Sequence, residues 1–197
     1  MKNITFITGN QGKADYLAKY LGHPVAHKKI DLDEIQSMNL KEIVEHKVRQ
    51  AFDIIKCPVI VEDVSLEFEA LNGLPGPFIR FFVDNVPFET ICSMIDDKSR
   101  KALAKCVFGY YDGETLKLFE GKLGGKIAKT PSGENGYGWD KIFIPEGYEI
   151  TRASLNEEDD RKTYLMIKPF EELKIFLRKK HNLWQPFTKK SRKNTLN

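Results

Sequence analysis

The chain opens on alternation. Residues 3–8, Asn-Ile-Thr-Phe-Ile-Thr, set β-formers in a two-residue rhythm and predict a first strand. A polar loop, Gly9-Asn10-Gln11-Gly12, follows, and a helix is predicted from Lys13 to Leu21. A second strand is predicted over Val25–Lys29, then an acidic loop, Ile30-Asp31-Leu32-Asp33-Glu34-Ile35-Gln36. From Leu40 to Ile55 the apolar residues Leu40, Ile43, Val44, Val48, Ala51 and Ile55 recur three and four apart, so they share one side of a long helix that also carries Lys47. Pro58-Val59-Ile60-Val61 is an unbroken β-branched run, the pattern of a strand inside a sheet.

After Val61 the pattern changes. Glu62 and Asp63 stand at the predicted carboxyl end of that strand. Gly73-Leu74-Pro75-Gly76-Pro77 reads as a stiff turn, because two prolines fix φ and two glycines admit conformations closed to other residues. An aromatic helix start, Phe78-Ile79-Arg80-Phe81-Phe82, comes next, and one helix is expected over Phe88–Asp96, extended from Val83. Lys101–Tyr111 and Thr115–Gly121 predict two strands around an Asp112-Gly113 turn, with a further strand over Leu123–Ala128. An antiparallel pair within an α/β chain predicts a lobe apart from the first sheet. A glycine-rich loop, Gly133 to Asp140, leads into Lys141-Ile142-Phe143-Ile144-Pro145. Asn156 to Asp160 can cap a late helix, which Pro169 must break or restart, and Phe170–Lys180 is helical again. The fold class is mixed α/β, one domain over residues 1–180 followed by a basic tail over 181–197.

Composition narrows the class. A chain of 197 residues, 41% hydrophobic and 30% charged, can bury a real core and stay in solution. It has no apolar run of about 18 residues and no signal-peptide core at its start, which predicts no membrane span and a cytoplasmic setting. Cys57, Cys92 and Cys106 are odd in number and widely spaced, as expected of reduced thiols rather than a disulfide or zinc framework. Of the 31 lysines and arginines, seven lie from Arg178 onward with no acid among them, so the body is mildly acidic. Such a tail is a solvated end or a nucleic-acid contact.

Three groups carry candidate chemistry. A strand, a glycine loop and a helix with an early lysine suit a phosphate: the helix-end amides face the anion and Lys13 adds a full charge. The spacing is not that of a Walker A loop, and an ordinary turn has the same signature. Two acids at a strand end beside a rigid loop suit a metal or a general base, or plain turn capping. In Gly136-Tyr137-Gly138-Trp139-Asp140 the aromatics can stack on a planar ring or close a core.

Taken in order, Thr8-Gly9-Asn10 with Lys13, the loop Ile30–Gln36, Val61-Glu62-Asp63, Gly73–Pro77 and Gly136–Asp140 resemble the Ham1, or inosine triphosphate pyrophosphatase, family, over nearly the whole chain up to about Leu177. The resemblance implies a long twisted mixed sheet with flanking helices, two lobes around a nucleotide cleft, and a homodimer. It implies magnesium-dependent hydrolysis of deaminated purine nucleoside triphosphates to monophosphate and pyrophosphate, with a role in cleansing the nucleotide pool. Carried onto this chain, Thr8, Asn10 and Lys13 hold the triphosphate. Glu34 and Asp63, with Glu62 as a third candidate, hold magnesium. Lys47 offsets phosphate charge and Asp63 orients or deprotonates water. Tyr137 and Trp139 sandwich the base and Asp140 reads its edge. The chain departs from the family where a lysine and then Ser-His-Arg are expected: Asp160-Arg161-Lys162-Thr163-Tyr164-Leu165-Met166 stands there, with Arg161 or Lys162 as candidate replacements for the lysine. The alternatives are a pyrophosphatase of altered base preference, a non-catalytic nucleotide-binding homologue, and a nucleic-acid binder acting through its tail.

Overall fold

The computed structural model describes residues 4–181, so residues 182–197 of the predicted tail, and Asn3 of the first strand, lie outside the described residues, while His181 ends a helix. The elements are, in order, β1 (Thr5–Ile7), α1 (Gln11–Leu21), β2 (Ala26–Lys28), α2 (Leu40–Ile55), β3 (Val59–Phe68), β4 (Pro75–Gly76), α3 (Ile79–Asn85), α4 (Phe88–Ser93), β5 (Lys101–Tyr111), β6 (Leu116–Ile127), β7 (Phe143–Pro145), α5 (Glu157–Ile167) and α6 (Phe170–His181). They build a mixed α/β fold around one seven-stranded sheet in the order β2-β1-β3-β5-β6-β7, with β4 paired to β3. The β2, β1 and β3 strands are parallel, and β3, β5, β6 and β7 are antiparallel.

Three sequence expectations change. The predicted strand does not stop at Val61. β5 pairs with β3 along its whole length, from Val59↔Tyr111 to Phe68↔Ala102, and carries it on as a ladder. On its other edge β3 pairs with β1 only as far as Ile60, and β4 does not begin until Leu66. Glu62 and Asp63 therefore sit mid-strand, at a step where one neighbour has ended. Second, the predicted separate strands at Thr115–Gly121 and Leu123–Ala128 are one strand, and the β5–β6 hairpin extends the first sheet rather than founding another. Third, the helix expected from Val83 to Asp96 is broken at Val86-Pro87 into α3 and α4, because Pro87 cannot donate to a continuing helix.

The two faces of the sheet bury different layers. Val59, Val61 and Val107 meet the apolar side of α2, Leu40, Val44, Val48 and Ala51. Phe6, Ile60, Leu66 and Phe108 meet Ala14 and Leu17 of α1 and Phe170, Leu173 and Leu177 of α6. Side chains alternate along a strand, so Asp63 follows Val59 and Val61 to the α2 side, and Glu62 follows Ile60 to the α1 and α6 side. This parity gives the adjacent acids separate partners. No helix of the described residues is long and apolar enough to cross a membrane.

Candidate functional site

The Asp63 side is assembled from α2 and the acidic loop. Lys47 is set on α2 beside the buried Val48, and its amine passes between two carboxylates, 2.6 Å from Glu34 Oε1 and 2.7 Å from Asp63 Oδ2. Asp63 Oδ1 accepts from the Val64 amide at 2.9 Å, which fixes the carboxylate plane. Glu34 would otherwise ride on a free loop. Gln50, about one turn after Lys47, ties that loop down by accepting from the Asp33 amide at 2.8 Å and donating to Asp33 Oδ2 at 2.7 Å. Burial alone would lower the Lys47 pKa; the carboxylates of Asp63 and Glu34 outweigh it and hold it above the ordinary lysine value.

The Glu62 side is a different machine. Glu62 Oε1 takes two ammonium groups, Lys168 at 2.6 Å and Lys13 at 3.0 Å, and the carboxylate is almost fully buried. Burial would push its pKa up, yet Lys168 and Lys13 hold it down at about 2. Lys168 is buried as well; burial disfavours its charge, but Cys106 and Glu62 beside it keep its pKa raised. Lys168 caps the C-terminal end of α5, next to Pro169, and lies close because β6 has no side chain at Gly121. A Cβ there would run into the Ile167 carbonyl and come within 3.1 Å of Pro169 Cδ. With its oxygen on two lysines, Glu62 is a lysine tether in this structure, not a third acid converging with Glu34 and Asp63.

At the mouth of α1, the Thr8 side-chain oxygen accepts from the Asn10 amide and Asn10 Oδ1 accepts from the Lys13 amide, both at 3.1 Å. Asn10 is thus the N-cap, and α1 starts at Gln11, two residues before the predicted start. Lys13, about 39% exposed, reaches from this helix end to Glu62.

The glycine-rich loop closes the far end. Gly138–Lys141 is a short 3₁₀ turn. Trp139 meets Phe143 edge to face at 5.6 Å between centroids, while Tyr137 projects into solvent, 79% exposed. The predicted sandwich is therefore not closed in this state. Asp140 is buried and both its oxygens are taken, Oδ2 by the Tyr137 amide at 2.9 Å and Oδ1 by Arg152 at 3.0 Å. Burial pushes its pKa up, more than Arg152 and the Tyr137 amide pull it down. Lys162 turns outward to Glu158 and Asp159, and Arg161 is exposed on α5.

Sequence reasoning missed Lys168, Arg152 and Gln50. Lys168 did leave a signal, a lone lysine in the apolar run Ile167-Lys168-Pro169-Phe170; nothing in the local pattern marks the other two.

The chain is similar to known proteins over most of its length. Residues 4–175 match the Ham1 family. The chain is 40% identical over 176 residues to inosine triphosphate pyrophosphatase 2 of Trypanosoma cruzi, covering 87% of this chain and 90% of that protein. It is 36% identical over 163 residues to the dITP/XTP pyrophosphatase of Thermococcus kodakarensis, covering 81% and 88%. The solved Ham1 protein of Staphylococcus aureus superposes with a TM-score of 0.78 at 27% identity, covering 90% of this chain and 99% of that one.

Proposed function

This chain belongs to the Ham1 family, and from that membership we propose that it hydrolyses nucleoside triphosphates, deaminated purine nucleotides such as ITP, dITP and XTP among them, to monophosphate and pyrophosphate. The observation that carries the reading is the convergence of Glu34, Asp63 and the Lys47 amine, with the Lys13 helix start on the neighbouring edge of β3.

The residues fit magnesium. Glu34 and Asp63 already hold one cation between them, the Lys47 ammonium, so their oxygens converge on a point that suits positive charge. Magnesium prefers one or two carboxylates completed by phosphates and water, and no cluster of three or more His, Cys, Asp or Glu is found among the described residues. Held by Glu34 and Asp63, it would supply charge neutralisation to the phosphates.

The chain's own groups then divide the work. Lys13 and the first amides of α1 hold the phosphate tail. Lys47 offsets charge as it develops on the leaving group. Asp63 orients water toward the α-phosphorus and accepts its proton. The water oxygen bonds to phosphorus as the bridging P–O bond breaks, and pyrophosphate leaves with that electron pair. The experiment is pyrophosphate release from a panel of normal and deaminated nucleoside triphosphates with magnesium. Release from ITP or XTP well above a no-enzyme control is expected; no release from any nucleotide rejects the reading.

A homodimer belongs to the same reading. Phe82 and Phe88 pack against the core, but Phe81 is 61% exposed and Leu74 is 45% exposed. Multi-angle light scattering should give twice the 22.7 kDa chain mass, and a monomer at micromolar concentration would reject it. Three free thiols suit a reducing cytoplasm.

A further inference from the structure

One side of α5 presents Asp160 and Tyr164, and the same four-residue step continues to Lys168 at its end. The two ends of this strip meet different machinery. Lys168 shares Glu62 with Lys13, at the corner where a triphosphate would lie. Asp160 meets Arg152, whose guanidinium donates to Asp160 Oδ1 at 2.5 Å, to Asp140 Oδ1 at 3.0 Å and to Thr163 Oγ1 at 3.2 Å. Because Asp140 also holds the Tyr137 amide, Arg152 ties α5 to the aromatic loop. Between the ends, the Arg152 and Lys168 cations lie 5.8 and 5.6 Å from the Tyr164 ring centre. The strip thus leads from the aromatic loop to the phosphate corner, the order in which a nucleotide's own parts follow one another.

Charge at the aromatic end does not balance. Two carboxylates share one guanidinium, and Asp140 has spent both oxygens. Asp160 has not: Oδ1 takes Arg152, Oδ2 has no partner among the described residues, and the side chain is 37% exposed. A carboxylate is an acceptor only, so the group on a ligand that this oxygen can take is a donor such as an N–H. Lys162 and Arg161, the donors that sequence reasoning offered for this end, point elsewhere or stand exposed.

We propose that Asp160 reads the base by accepting the N1–H of a 6-oxopurine, with Arg152 as the positioning residue that holds its carboxylate in place. The proposal rests on the nucleotide-hydrolysis reading and names its substrate class. Inosine, xanthosine and guanosine all carry an N1–H. Adenine presents a lone pair at N1, which a carboxylate repels. The division is therefore oxo against amino, not deaminated against normal, and guanosine triphosphate is a substrate beside inosine triphosphate.

The test is kcat/KM for inosine, guanosine and adenosine triphosphates, in the unaltered protein and in Asp160→Asn. Binding of the α,β-methylene analogues of the same three nucleotides is measured alongside. The unaltered protein should favour both oxopurines over adenosine by about 10–100-fold, the worth of one charged hydrogen bond, with inosine and guanosine within about tenfold of each other. Asp160→Asn should cut the oxo-to-amino ratio by at least about tenfold, since its amide can turn a donor toward adenine N1. A merely structural role for Asp160 would lower all three nucleotides together and leave the ratio in place. A smaller cut, or an unaltered protein that rejects guanosine or accepts adenosine like inosine, overturns the proposal. If no nucleotide releases pyrophosphate, the hydrolysis reading falls, and the ratio of analogue affinities still decides the base reading.

Discussion

Asparagine in place of Asp63 should give a folded protein whose turnover of its best nucleoside triphosphate is at least about a hundredfold lower, about 2.7 kcal/mol of barrier. Of the adjacent acids Glu62 and Asp63, Asp63 is the one that faces the α2 side of β3 and meets the Lys47 amine, at 2.7 Å. The amide keeps the size and the Oδ1 contact to the Val64 backbone, so little packing is lost. What goes is the negative charge that pairs with Lys47, would hold a divalent cation, and would take the proton from water. Thermal melts establish that the variant is folded, and pyrophosphate release establishes its rate. Turnover within a few-fold of the unaltered protein, in a variant that melts normally, would remove Asp63 from the chemistry.

Glu62 should matter for stability far more than its neighbour. Glu62→Gln leaves the buried Lys168 without its counter-charge, and Lys168→Met leaves a buried carboxylate with Lys13 alone. Breaking a buried pair from one side costs about 3–5 kcal/mol, because the remaining charge stays in a dry site. The double variant Glu62→Leu/Lys168→Met should recover much of that loss, since apolar groups of similar size replace the pair outright. The pH dependence has a definite sign. A carboxyl held at about 2 in the folded chain contributes stability that is complete above the ordinary carboxylate range and disappears as pH falls toward 2. Urea titrations from neutral pH downward should show a shallower acid decline for Glu62→Gln. Single variants that each lose under about 1 kcal/mol would show that the tether is not structural.

The two predictions concern adjacent residues in one run of sequence, and the run shows how far the chain could be read. Val59-Ile60-Val61 announced a buried strand, and the period of two sends the acids after it to different faces only if the strand runs on past them. Which face holds which partner was hidden, because Lys168 comes 106 residues later and reaches Glu62 only through the packing of α5 and α6 on the sheet. The length of β3 was hidden for a related reason. Glu62 and Asp63 look like the end of a strand locally, but β5 supplies a pairing partner that local pattern cannot show. The order β2-β1-β3-β5-β6-β7 is long-range information of the same kind. By contrast, the long helix with Lys47 is a local matter of spacing and was legible, whereas the start of α1 was read two residues late, at Lys13 rather than directly after its N-cap Asn10. Arg152 was the least legible residue of all. It sits in a short 3₁₀ turn with no periodic signal, and only the approach of Asp140 and Asp160 from two other segments gives it a role.

Gly121 carries a consequence for how this cleft can vary. Its bare backbone is the floor on which Ile167 and Pro169 rest, so the height of the α5–α6 junction above the sheet is the height of β6 itself. Lys168 hangs from that junction, and through Glu62 it shares a carboxylate oxygen with Lys13. The spacing of two cations is thereby gauged against a position that bears no charge and touches no substrate. Even a methyl group at 121 is incompatible with the junction where it stands, so freedom of sequence there is closed by a requirement that arises across the sheet. The phosphate end of the cleft is calibrated from beneath.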